Sequence, residues 1–210
     1  MLVFDEDGRV SALGFSKEGL QHGPAMLFSG EGQLLVVNAW SSGEINGPFV
    51  GFFDSGRVAT QGSYQSGVPD GPWVAYHEDG WPKEEGVFER GLRSGLWRTY
   101  HENRTLEAKG EYSNGVAQGV WTFYWDNGVV EVEATYVDGV LEGPWVSHDM
   151  AGVVTVRGSR SDGKEHGAWK FYHEGTNVVQ FEGTYERGTR VGVWREYDEQ
   201  GVLIEEEDFR

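Results

Sequence analysis

The chain has 210 residues, no cysteine, and 17 basic against 34 acidic side chains, for a formal net charge of −17. That acidity repels phosphate backbones and anionic head groups, and no local basic patch offsets it, so nucleic-acid binding is not expected. The missing cysteine rules out disulfides and thiolate metal sites, and no run of residues approaches the ~18 apolar positions of a membrane-spanning helix.

Glycine accounts for 32 residues, about twice its usual share of ~7%. High glycine with regularly placed aromatics predicts β-structure with many tight turns. In chain order, the start Met1-Leu2-Val3-Phe4-Asp5-Glu6-Asp7 has neither a basic segment nor an apolar run. It does not read as a signal peptide, and a cytoplasmic location is expected. Phe4-Asp5-Glu6-Asp7-Gly8 matches Tyr76-His77-Glu78-Asp79-Gly80 further on, so residues 1–14 are predicted to cap the array as a strand.

From Phe15 the chain repeats about every 24 residues. One aromatic column runs Phe15, Trp40, Tyr64, Phe88, Tyr112, Tyr136 and Tyr185, with Arg160 in that slot in the seventh copy. A glycine column without exception runs Gly23, Gly47, Gly71, Gly95, Gly119, Gly143, Gly167 and Gly192. Two residues after it come Trp73, Trp97, Trp121, Trp145, Trp169 and Trp194, with Ala25 and Phe49 in the first two copies. Three residues further stands a column of Tyr, Phe or His, and a third glycine column follows at Gly32, Gly56, Gly80, Gly128, Gly152 and Gly201.

Each copy reads as two strands and two turns. Pro72 to His77 is rich in strand-forming residues, His77-Glu78-Asp79-Gly80 turns the chain, and Lys83 to Phe88 returns it. Glu89 to Gly95 is expected to turn into the next copy, which makes the exceptionless glycine column a column of turn glycines. Asn114-Gly115, Asn127-Gly128, Asp138-Gly139 and Asp162-Gly163 favour turns with positive φ. The stretch Leu96 to Lys109 could pass for a helix, but its equivalents in neighbouring copies carry Gly80, Pro82 or Gly128.

The expected fold is all-β: an elongated single-layer antiparallel sheet of eight stacked hairpin repeats over residues 15–208. Residues 209–210 form a truncated end in which Phe209 would open a ninth copy. A lone hairpin is marginal in water, so neighbouring copies must stabilise each other. Gly62, Gly86, Gly110, Gly158 and Gly183 each precede the aromatic column by two residues. They share its strand face, and a tryptophan from the adjacent strand is expected to cover each bare glycine.

A copy such as Tyr64 to Gly80, with its Gly71-Pro72-Trp73 core, resembles the MORN-repeat variant common in bacteria. The resemblance implies stacked hairpins, and an enzymatic domain of the kind fused to some MORN arrays is not expected for want of room. Some bacterial members of that family are labelled antitoxin components, and eukaryotic MORN proteins are linked to scaffolding and membrane lipids.

No catalytic, cofactor-binding or metal-binding residue is expected. His77, His101 and His173 share one repeat position, but copies of one position lie ~9.6 Å apart, too far for a shared ion. They are read as solvated turn-edge residues. Asp5-Glu6-Asp7-Gly8 lacks the remaining ligands of a calcium loop. Glu84 and Glu85 are consecutive and point to opposite faces, unlike a glycosidase pair. The structural repeat is carried by the tryptophan column together with Gly71, Gly95, Gly119 and Gly143.

Departures from the repeat are the candidates for binding. Trp81 stands where other copies have Gln33, Arg57, Thr105 or Val129, Trp125 replaces a histidine, and Phe53 fills that same slot in the second copy. The expected function is a protein–protein interaction module, antitoxin-like or scaffolding, with another protein as partner; a basic one would suit the charge. The alternatives are a membrane- or lipid-associated scaffold and a carbohydrate-binding repeat. The oligomeric state is left open.

Overall fold

The structure is a computed structural model describing residues 1–210. The chain is all-β, without a helix, and every strand pairing is antiparallel. It divides into two compact units, Met1–Arg104 and Thr105–Arg210. Within each unit, hairpin follows hairpin in chain order, except that Ser16–Lys17 and Leu20–Gln21 pair only with each other while Val10–Leu13 pairs past them with Gly23–Phe28. In the first unit Gly71–Tyr76 lies between Val58–Gln65 and Pro82–Glu89, and Pro82–Glu89 pairs onward with Leu92–Tyr100. In the second, Val116–Tyr124, Val130–Val137, Val140–His148 and Val154–Ser161 follow one another in the same way.

Two kinds of turn alternate. Between copies the chain reverses over two residues, as at Arg90-Gly91, where Glu89 pairs with Leu92. Both central residues have positive φ there, 51° and 83°, the geometry whose twist suits a two-residue hairpin. Ser42-Gly43, Ser66-Gly67, Asn114-Gly115, Asp138-Gly139, Asp162-Gly163 and Arg187-Gly188 do the same. Within copies the turn is longer. Gly80 N–H donates to His77 O and His77 N–H to Trp81 O. Asn127-Gly128 belongs to this second kind: Gly128 alone has positive φ, at 82°, which corrects the expectation for Asn127.

The exceptionless glycine column is not a turn column. Gly95 lies inside the strand Leu92–Tyr100. Val87 pairs with Ser94 and Glu85 with Arg98, so Gly95, Leu96 and Trp97 together face the single residue Gly86. This is a β-bulge, and Gly95 supplies the left-handed φ of 64° that it needs. The second unit repeats the arrangement at Gly119 to Trp121 facing Gly110, Gly167 to Trp169 facing Gly158, and Gly192 to Trp194 facing Gly183. A glycine at constant spacing reads alike for a turn and a bulge, because both positions demand positive φ.

The bulge explains the core. It releases enough chain for the tryptophan to fold flat over the glycine of the preceding strand. A Cβ at Gly86 would collide with the Trp97 ring, and the same holds for Gly110 and Trp121, Gly158 and Trp169, and Gly183 and Trp194. Trp97 is consequently only 1% exposed. Its indole N–H donates to Val87 O at 3.1 Å, and Trp169 and Trp194 make the equivalent bonds to Ser159 O and Thr184 O. Trp121 leaves its indole N–H without a partner. Rings of the first aromatic column stand edge-on between successive tryptophans, with Phe88 5.4 Å from Trp73 and 5.0 Å from Trp97. Edge-to-face contact at that distance stabilises beyond plain burial. Arg160 fills its aromatic slot as a cation, 4.8 Å from the Trp145 ring and 5.6 Å from Trp169.

Candidate functional site

The turns within copies lie along one edge of each unit and carry the departures Phe53, Trp81, Arg104 and Trp125. In two copies the residue after the turn reaches across to the next turn. Arg57 donates from Nη1 to Glu78 O at 2.8 Å, and Thr105 from Oγ1 to Asp126 O at 2.9 Å. Trp81 occupies that slot in the third copy. Its side chain has no such reach, and the residue is 42% exposed.

The compensation comes from the next turn. Where the third glycine column skips from Gly80 to Gly128, the fourth copy has Arg104, held at φ 74°. A bulky residue in this region costs about 1–2 kcal/mol. The guanidinium of Arg104 donates from Nε and Nη2 to Asp79 Oδ2 at 3.2 and 3.1 Å and lies 5.4 Å from the Trp81 ring. Asp79 Oδ1 accepts the Trp81 N–H at 2.9 Å. That N–H, and after it Arg104, hold the Asp79 carboxyl below the usual carboxylate value, with desolvation opposing them. Asp79, Trp81 and Arg104 thus form one cluster that props an exposed indole on the turn edge.

Beside this cluster opens a cleft of about 530 Å³, lined by Phe53, Tyr76, His77, Glu78, Asp79, Lys83 and Glu102. The structure therefore brings Phe53 and Trp81 to one stretch of the turn edge in the first unit. Trp125 belongs to the second unit and has a packing role of its own. Its indole N–H donates to His148 O at 3.1 Å. His77 Nε2 meets Tyr100 O at 3.0 Å and His173 Nε2 meets Tyr197 O at 2.9 Å. One repeat position thus makes one bond, from a ring nitrogen to the backbone carbonyl of the next copy. His77 and His173 are half-buried rungs of that ladder, not the solvated residues the sequence suggests, and Trp125 replaces histidine without loss of the bond.

The remaining candidates are engaged in the sheet. Glu84 bonds Arg93 at 2.8 Å, whereas Glu85 accepts the Tyr100 hydroxyl at 2.7 Å and lies 3.5 Å from Arg98. Burial, and then the Glu85 carboxylate, push the Tyr100 phenol up to about 12. No three His, Asp or Glu side chains converge where a metal ion could sit. Sequence reasoning passed over Arg104, although the break it makes in the glycine column is visible in the sequence.

The model of the MORN repeat variant matches residues 69–90, 117–138 and 190–210. Each matched segment begins just before a bulge glycine and runs through the tryptophan, the turn and the return strand. The chain is a MORN-repeat protein. No curated protein matches it in sequence. Two features of the MORN unit decide where a site can form here. The tryptophan face is occupied by packing against glycine, and the turns are free to vary. Phe53, Trp81 and Arg104 all lie on turns.

Proposed function

We propose that this MORN-repeat chain is a protein–protein interaction module, and that its binding surface is the turn edge of copies two to four. Phe53 and Trp81 are the apolar anchors, and Arg104 positions Trp81. The observation that carries this reading is an exposed indole held in place by the Arg104 guanidinium, which also bonds Asp79. An aromatic anchor that is rigid before binding loses little conformational freedom on association. The net charge of −17 favours a basic partner and speeds the encounter. An antitoxin-like pairing with a small basic toxin is the narrower form of this reading.

The test is affinity capture from the native host's lysate at low and high salt, using the wild-type chain and Trp81→Ala in parallel. One stoichiometric protein, retained by the wild type and lost by the variant, is expected, and its release by salt would mark the basic version. A capture profile identical for the two chains would overturn the assignment of the surface. A wild-type chain that retains no specific protein would overturn the function itself.

A further inference from the structure

The cleft at the turns of copies three and four presents a chemistry that the chain already uses on its own arginines. Arg93 lies 4.1 Å over the Trp97 ring and 2.8 Å from the Glu84 carboxylate. Arg104 lies 5.4 Å from Trp81 and 3.1 Å from Asp79. Arg160 lies 4.8 Å from Trp145 and 2.9 Å from Glu165. In all three a guanidinium rests on an aromatic ring and donates to a carboxylate. The ring face attracts the cation, and the carboxylate adds directional charge-assisted bonds.

The cleft offers the same two components with no guanidinium seated on them. Phe53 and Tyr76 form its aromatic lining, and Glu78 and Glu102 add carboxylates. The neighbouring acids Glu84, Glu85 and Asp79 are paired with Arg93, Arg98 and Arg104. The Glu78 and Glu102 carboxylates enter no ion pair, with Lys83 or otherwise, although the Arg57 guanidinium donates to the Glu78 backbone O at 2.8 Å. We propose that this cleft is a subsite for a cationic side chain, an arginine presented by a protein partner. Its guanidinium lies against the Phe53 and Tyr76 rings and donates to Glu78 and Glu102. The proposal rests on the interaction-module reading above and names the chemistry that the same edge selects.

The second unit supplies an internal comparison. A cleft of about 450 Å³ there is lined by His173, Glu174, Thr176, Gln180 and Glu199. It repeats the histidine, the following glutamate and the glutamate of the next turn, but it has no aromatic lining. If acidity alone binds cations, the two clefts will respond alike. If the rings matter, the first responds more strongly.

The test titrates the full chain with N-acetyl-Gly-Arg-Gly-amide and, in parallel, with the same tripeptide carrying uncharged citrulline, followed by amide NMR. The expected result is saturable, arginine-dependent shifts at His77, Glu78, Asp79 and Glu102. Binding there should be roughly threefold tighter than at Glu174 and Glu199. Combined Glu78→Gln and Glu102→Gln substitutions, both on exposed turns, should weaken it roughly tenfold. Equal shifts with citrulline, equal response of the two clefts, or no shift at the first cleft would overturn the proposal. Two failures are separable. If the tripeptide does not bind but Trp81→Ala still abolishes capture of the protein partner, the cation subsite falls and the interaction module stands. If the arginine seats in the cleft but no protein is captured, the subsite stands and its assignment to a protein partner falls.

Discussion

At five steps of the array a missing side chain makes room for a large one. Gly110 has no Cβ, and the Trp121 ring occupies the space a Cβ would need. Trp121 is 8% exposed. Gly110→Ala must therefore displace the ring, and overpacking of this kind costs about 1–3 kcal/mol. Trp121→Ala leaves a cavity and a bare strand, at about 3–5 kcal/mol. Both should lower the urea midpoint; an unmoved midpoint for either would refute the packing described. The chain contains its own partial control. Ala134 stands in the glycine column of the sixth copy, 1% exposed, and the Trp145 paired with it is half-buried where Trp97 is buried. The glycine–tryptophan contact is readable from sequence because both columns keep a fixed offset through the copies. The bonds of His77 and His173 are not, because the acceptor is a backbone carbonyl of the next copy, and carbonyls leave no mark in a sequence.

The turns, more than the strands, set what each hairpin can do. The strands repeat because each must present a bulge glycine, a tryptophan and a return glycine in step. The turns have a looser requirement, one residue at positive φ and one link to the next turn. Arg57 and Thr105 make that link directly, whereas the third copy makes it in reverse, with Arg104 reaching back to Asp79 and Trp81. The aromatic at position 125 is a different case. If Trp125 serves as a hydrogen-bonding rung, then Trp125→His should leave the urea midpoint nearly unchanged. Trp125→Phe should lose one hydrogen bond, worth about 1 kcal/mol. Equal stability of the His and Phe variants would show that the bond to His148 O contributes nothing. Of the three aromatics that depart from the repeat in the sequence, two thus remain binding candidates and one is accounted for by packing. A bulge glycine and a turn glycine look alike in the sequence. Gly95 has a positive φ, as a turn glycine does, and only strand pairing separates the two cases.

At the scale of the whole chain, acidity and repetition set the boundaries of the account. A formal charge of −17 disfavours anionic surfaces, and no helix is long and apolar enough to cross a membrane. The matched MORN segments place the repeat in both units, yet the exposed indole, its positioning arginine and the aromatic-lined cleft all lie in the unit Met1–Arg104. A partner should therefore touch the two units unequally. Amide hydrogen exchange of the chain, free and bound to its captured partner, tests this most directly. Added protection is predicted at the turns spanning residues 53–57, 77–83 and 101–104, with little change beyond residue 105. Protection confined to residues 105–210, or spread evenly over both units, would contradict it.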